Sequence, residues 1–288
     1  MRSRRPDSVL AMVMVGSASS PGSALGDQLR HWRRLRRLSQ LDLASAAGST
    51  PRYVSFVESG RARPSRQMIE RLARTLDVPL RDRNVLLLAG GYAPSYAGEP
   101  LDSPQLRQVS AALTAMLEQH DPLPAVVLNR SWDVLRANQG AQLLFGRLCA
   151  PEPMPEPANV LEMVIGPGPV RRAVRNWDSV VPHLLERARR EAVGGVLDDR
   201  TAELVRGLRA RSDVAALLAA PGAGLEAAPV VDVRFEVDGV PLNLFSVVST
   251  IGTPIDVTAQ ELRLESFFPS DDATRENWSR LRAACCQV

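Results

Sequence analysis

The chain has 288 residues, 45% of them hydrophobic and 23% charged, a globular composition that excludes collagenous, fibrous and wholly disordered classes. Its formal charge of +3 hides an asymmetry: residues 1–98 carry 16 arginines against 7 carboxylates, and residues 99–288 carry 19 against 25. A basic front third points to a polyanion-binding module joined to something else, while three cysteines without a CxxC spacing exclude a disulfide framework and suit a reduced, cytoplasmic compartment.

Residues 1–24 read as a disordered tail. Arg2, Arg4 and Arg5 ahead of the apolar Val9–Val15 imitate a secretory signal, but the run is short and Asp7 sits directly before it, so no targeting segment is expected. No apolar stretch is long enough for a membrane span.

Leu25, Leu29, Trp32, Leu35 and Leu38 recur at helical spacing and predict an amphipathic helix over 26–37. Its other face carries Arg30, Arg33, Arg34, Arg36 and Arg37. Ser39 is placed to cap a second helix from Gln40 to Ala47, and Thr50–Pro51 opens a third that runs to Glu58 before Gly60. A fourth starts at Pro64–Ser65 and turns Ile69, Leu72, Ala73 and Leu76 inward; a fifth covers roughly 80–90. Counting Gln40 as position one, Ala44 is fifth, Gly48 ninth, Val54 fifteenth and Val57 eighteenth. A small residue where two helices cross, a glycine at the turn and branched residues packing the next helix back give the helix-turn-helix geometry, whose second helix enters the DNA major groove.

The segment SQLDLASAAGSTPRYVSFVESGRARPS resembles the Cro/CI-type helix-turn-helix of the XRE family of transcription regulators. The resemblance implies that Thr50, Pro51, Arg52 and Ser55, at the exposed start of the third helix, touch base edges, with Arg52 able to donate two hydrogen bonds to guanine. It implies phosphate contacts from Gln40, Arg61, Arg63 and Ser65. Phe56 departs from the polar residue many relatives carry there, and local packing is its expected role.

Residues 93–104, rich in Pro, Ser and Gly, read as a linker. A helix ending near His120 follows, then strands 124–129 and 132–138 joined as a hairpin through Arg130–Ser131, and a helix that Asn138 caps. Helices are expected over 159–165, 171–192, 199–211 and 213–220, then strands 230–237, 242–251 and 261–268, with Asp238–Gly239 as a hairpin turn. Two strands, helices and three strands is the order of a PAS-like antiparallel sheet with a helical insertion. The fold class is therefore α+β: an all-α five-helix domain (25–92) followed by a PAS-like domain (105–288).

The segments VVLNRSWDVLRAN, NWDSVVPHLLERARRE and LFSVVSTIGTPIDVTAQELRLESFFP resemble the ligand-binding domain of MmyB-like regulators. That resemblance implies a pocket for an elongated, fatty-acid-like ligand; the pattern of apolar residues nominates Trp177, Val181, Leu184 and Leu185 for one wall and Phe145, Phe235 and Phe245 for the opposite one. Each also fits ordinary core packing. His120 is expected to cap a helix end, Asp198–Asp199 and Asp271–Asp272 to sit at helix N-termini, and His183 to anchor a ligand carboxylate or to pack as a structural histidine.

No GxSxG, HExxH, Walker loop or helix-opening GxGxxG occurs, so neither an enzyme nor a metal site nor a cofactor is expected. The expectation is a cytoplasmic homodimer on a near-palindromic double-stranded operator, switched by an apolar ligand. Two alternatives stay open: a second domain that only contacts a protein such as RNA polymerase, and an uncharacterised enzyme.

Overall fold

The computed structural model describes residues 21–192, 199–220 and 231–285. The chain forms two compact units, one taking in the residues up to Val78 with Asp82–Ser95, the other Pro79–Arg81 with the chain from Tyr96 onward.

The first unit is helical: α1 (Pro21–Leu35), α2 (Gln40–Ala46), α3 (Pro51–Glu58), α4 (Arg66–Thr75) and, from Asp82 on, α5 (Leu80–Ala89). The start of α1 at Pro21 lies inside the stretch read as tail; residues 1–20 fall outside the described ones. Local chemistry sets the other helix starts. Ser39 and Asp42 form a reciprocal capping box on α2, and Thr50 and Ser65 accept from the amides of Tyr53 and Met68 at the heads of α3 and α4. Gly48 takes φ +60 between α2 and α3, the left-handed conformation that a glycine holds without strain. Leu29, Trp32, Leu43, Ala44, Val54, Val57, Ile69 and Leu72 make the buried core.

The second unit is an antiparallel five-stranded sheet in the order β2–β1–β5–β4–β3, built from β1 (Ala125–Leu128), β2 (Val134–Ala137), β3 (Val233–Val237), β4 (Val240–Thr250) and β5 (Arg263–Pro269). Its helices are α6 (Arg107–His120), α7 (Gln139–Cys149), α8 (Val160–Ile165), α9 (Pro169–Ala173), α10 (Trp177–Arg190), α11 (Asp199–Ala210), α12 (Ser212–Ala219), α13 (Val257–Glu261) and α14 (Asp272–Cys285). Strand alternation divides β1 between two cores. Ala125 and Val127 meet Leu113 and Leu117 of α6, while Val126 and Leu128 face the larger core with Leu144, Leu161, Val181 and Phe235.

The β3–β4 turn puts both Asp238 (φ 51) and Gly239 (φ 77) in the left-handed region, as a tight hairpin between right-twisted strands requires. The β1–β2 connection departs from expectation. Trp132 belongs to the turn at φ 68, not to the strand, because the Asn129 carboxamide oxygen accepts from the amides of Ser131 and Asp133 and curls the chain there. The helix expected over 171–192 is broken in two. Val174 is extended and bridges Phe235, and the Arg175 amide donates to the Arg234 carbonyl at 2.7 Å. Helix α14 carries the core residues Trp278 and Leu281 and has no counterpart in the sequence reading beyond the acidic pair at its start, where Asp271 accepts from the Thr274 amide. Val230, Asp198 and Cys286 lie outside the described residues.

Candidate nucleic-acid interface and ligand cavity

Helix α3 presents Pro51 and Arg52 exposed and Ser55 half-buried, while Val54 and Val57 hold its other side in the core. Phe56 is half-buried beneath the Arg52 guanidinium, 5.3 Å from its ring centroid, a cation–π contact that limits where that side chain swings. Thr50 and Ser65 accept backbone hydrogen bonds at helix starts, which leaves each hydroxyl hydrogen free to donate. Arg61 and Arg63 are exposed on the connection after α3.

A buried carboxylate organises this surface from beneath. Glu58, at the end of α3, is 2% exposed and receives two hydrogen bonds from the Arg33 guanidinium, at 2.6 and 2.9 Å, and one from the Gln40 carboxamide at 2.9 Å. Burial alone would raise the Glu58 pKa. The hydrogen bonds from Arg33 and Gln40, with the charges of Arg33 and Arg30, outweigh it and hold the carboxyl below its ordinary range. Gln40 keeps its second amide hydrogen for an outside partner. Three arginines of the basic face of α1 are thereby structural. Arg30 and Arg33 serve the end of α3, and Arg36 donates to the carbonyls of Leu76 and Asp77. Arg34 and Arg37 remain exposed. Glu58 was visible only as a motif letter, because its partners lie 18 and 25 positions back in the chain.

In the second unit a cavity of about 610 Å³ opens between α10 and the sheet, within the range of small-molecule sites. Phe145, Leu184, Phe235 and Phe245 line it, as do Val164, Val180, Leu244 and Phe267. Trp177, Val181 and Leu185 do not. They occupy the neighbouring stripe of α10 at i, i+4 and i+8 and pack into the protein core; the Trp177 indole donates to the Val164 carbonyl under the Arg171 guanidinium. His183 lines the cavity, whereas His120 lies elsewhere, its Nε2 2.9 Å from the Phe267 carbonyl oxygen and its ring edge-on to Phe268. Contact with β5, not a helix-end cap, occupies that ring.

One end of the cavity is ionic. Arg187 donates to both carboxylate oxygens of Glu265, at 2.7 and 3.0 Å, and to Glu191 at 2.7 Å. Arg263 reaches Glu191 at 3.1 Å and the carbonyls of Asn129 and Arg130. Both guanidiniums lie over the buried Trp132 ring, 5.0 and 4.6 Å from its centroid. Burial works against the Arg187 charge, but Glu265 and Glu191 outweigh it and raise its pKa; for Arg263 burial prevails and lowers it. The sequence signal was present in the alternation of Arg263 and Glu265 inside an apolar strand, where inward positions ordinarily carry no charge.

Comparison with known proteins places both units. A family described as the MmyB-like transcription regulator ligand binding domain matches residues 109–281, more than half of the chain. The chain belongs to the MmyB-like transcription regulators. A helix-turn-helix domain family matches residues 24–86, so the protein is a DNA-binding transcription regulator with a C-terminal ligand-binding domain. Over 61 residues it is 34% identical to multiprotein-bridging factor 1 of Debaryomyces hansenii, covering 21% of this chain and 41% of that one. The protein of the same name in Candida albicans is 32% identical over 62 residues, covering 22% and 41%. The match therefore spans about two-fifths of these curated relatives. Among solved structures, the clp gene regulator ClgR from Corynebacterium glutamicum aligns with 36% of this chain and 97% of its own at 24% identity and a TM-score of 0.23. An RNA-binding light-oxygen-voltage receptor aligns with 92% and 64% at 13% identity and a TM-score of 0.26. No helix among the described residues is long and apolar enough to cross a membrane.

Proposed function

We propose that this regulator binds a near-palindromic operator as a cytoplasmic homodimer and is switched by an elongated, fatty-acid-like ligand held between α10 and the sheet. The observation that carries the reading is the cavity of about 610 Å³, apolar over most of its wall, inside the domain that its family defines as ligand-binding. Thr50, Pro51, Arg52 and Ser55 are the base-reading candidates. Gln40, Arg61, Arg63 and Ser65 are the phosphate-binding candidates, each with a hydrogen-bond donor available at the surface. A ligand that binds one DNA-competence state better than the other shifts the equilibrium between them; equal affinity for both would switch nothing.

Native mass spectrometry of the full-length protein, followed by denaturing extraction, tests the reading. A dimer carrying a discrete lipid-sized adduct is the expected result. A protein that carries no adduct and takes up no medium-chain amphiphile on titration would remove the ligand and leave the second domain as a protein-interaction module.

A further inference from the structure

An amphiphile in this cavity could lie with its head inward or outward, and the pairing of the wall charges separates the two arrangements. The wall grades along α10. Val180 faces an end made by Phe145, Val164, Phe235, Leu244 and Phe267, all of them buried. Two turns further along the helix the wall is Arg187, Glu191 and Glu265. There every charge is engaged: Arg187 with Glu265 and Glu191, and Glu191 also with Arg263. A carboxylate head arriving at that wall would have to displace Glu265, itself 3% exposed, and leave it buried without its partner. Breaking a buried pair in this way is strongly unfavourable.

Arg190 is different. It lines the same cavity from the last residue of α10, is exposed, and has no ion-pair or hydrogen-bond partner among the described residues. The acid one turn back, Glu186, is held by Arg189 at 2.7 Å, and the Arg190 charge acts on it only through space. From Val180 to Arg190 the helix rises about 15 Å, the length of an extended chain of roughly a dozen carbons.

We infer that Arg190 binds the anionic head of the ligand at the cavity mouth and that a medium-chain tail runs along α10 to the apolar end at Val180. The inference rests on the reading of the cavity as a site for a fatty-acid-like ligand and adds the orientation and the anchoring residue. His183, lining the cavity two turns nearer the apolar end, is the competing anchor and would fit a shorter tail.

Calorimetric titration of the full-length protein with dodecanoate and with dodecanol tests it. The wild type should bind dodecanoate about tenfold more tightly at low salt, the value of one charge-assisted hydrogen-bonded contact near a surface. Arg190→Gln should abolish that preference with dodecanol affinity unchanged, and Arg190→Lys should restore part of it. Because Arg190 is exposed and makes no ion pair or hydrogen bond among the described residues, the thermal midpoint of the unliganded variants should lie close to that of the wild type. A preference that survives Arg190→Gln, or that His183→Gln removes instead, would overturn the assignment of Arg190 while leaving the cavity a ligand site. Binding of neither amphiphile would overturn the ligand-site reading, and this inference with it.

Discussion

At the scale of single residues, the proposed DNA-binding surface combines side chains that point outward with one carboxylate that points in. Arg52→Ala should relax base preference at one operator position by about 1–3 kcal/mol, the value of a bidentate guanine contact, read by competition against single-substituted operators. Arg63→Ala should instead weaken all DNA alike and reduce the salt slope by about one. If both variants lost only nonspecific affinity, the groove assignment of Arg52 would fail. Glu58→Gln should destabilise the first unit by about 3 kcal/mol, since it leaves the Arg33 guanidinium half-buried and without its counter-charge. Amide hydrogen exchange in α1 and α3 reads that loss directly. The Glu58 pKa is depressed in the folded state, so its contribution is complete above the ordinary carboxylate range. It disappears as pH falls through that range and then through the depressed folded value. An exchange profile of α3 indifferent to acidification would contradict this.

At the scale of elements, close approach and stripe geometry decide what a substitution does. A Cβ on Gly26 would sit 2.4 Å from the Glu58 carbonyl oxygen, so Gly26→Ala should push α1 off α3 at a cost of about 1–3 kcal/mol. Urea unfolding read by amide hydrogen exchange in α1 and α3 is the measurement, and an unchanged midpoint would refute the contact. The five helices of the first unit were legible because their signals are local: Ser39, Thr50 and Ser65 cap within three residues of where they stand. The strands were legible by alternation, and the fold class followed. What escaped the sequence was long-range. Helix 171–192 breaks because the Arg175 amide finds a carbonyl on β3, and α14 hides its short apolar stripe of Trp278 and Leu281 among charges. The ionic wall pairs Arg187 with Glu265 across 78 positions. The sequence placed α10 at the site yet could not choose between its two apolar stripes, which is why Leu184 lines the cavity while Trp177, Val181 and Leu185 pack elsewhere.

At the scale of the whole molecule, the proposed switch makes the ligand domain and the DNA-binding domain a linked system. If the proposed ligand changes operator affinity by some factor, the operator must change ligand affinity by the same factor. Titrating dodecanoate into free and operator-saturated protein, and operator into free and ligand-saturated protein, should return one ratio from both experiments. Ratios of unity in both would mean that the cavity, occupied or not, does not control DNA binding.

The indole of Trp132 sits where its fluorescence would report this chemistry. Arg187 forms part of the cavity wall and also lies over that ring. A negative charge entering the cavity beside that guanidinium, with its ion pairs left in place, would therefore change the electric field across the chromophore. The chain has four tryptophans, so replacing Trp32, Trp177 and Trp278 with phenylalanine leaves a single emitter inside the second domain. Its emission maximum should move as the cavity fills, turning a structural stacking contact into a built-in optical gauge of occupancy.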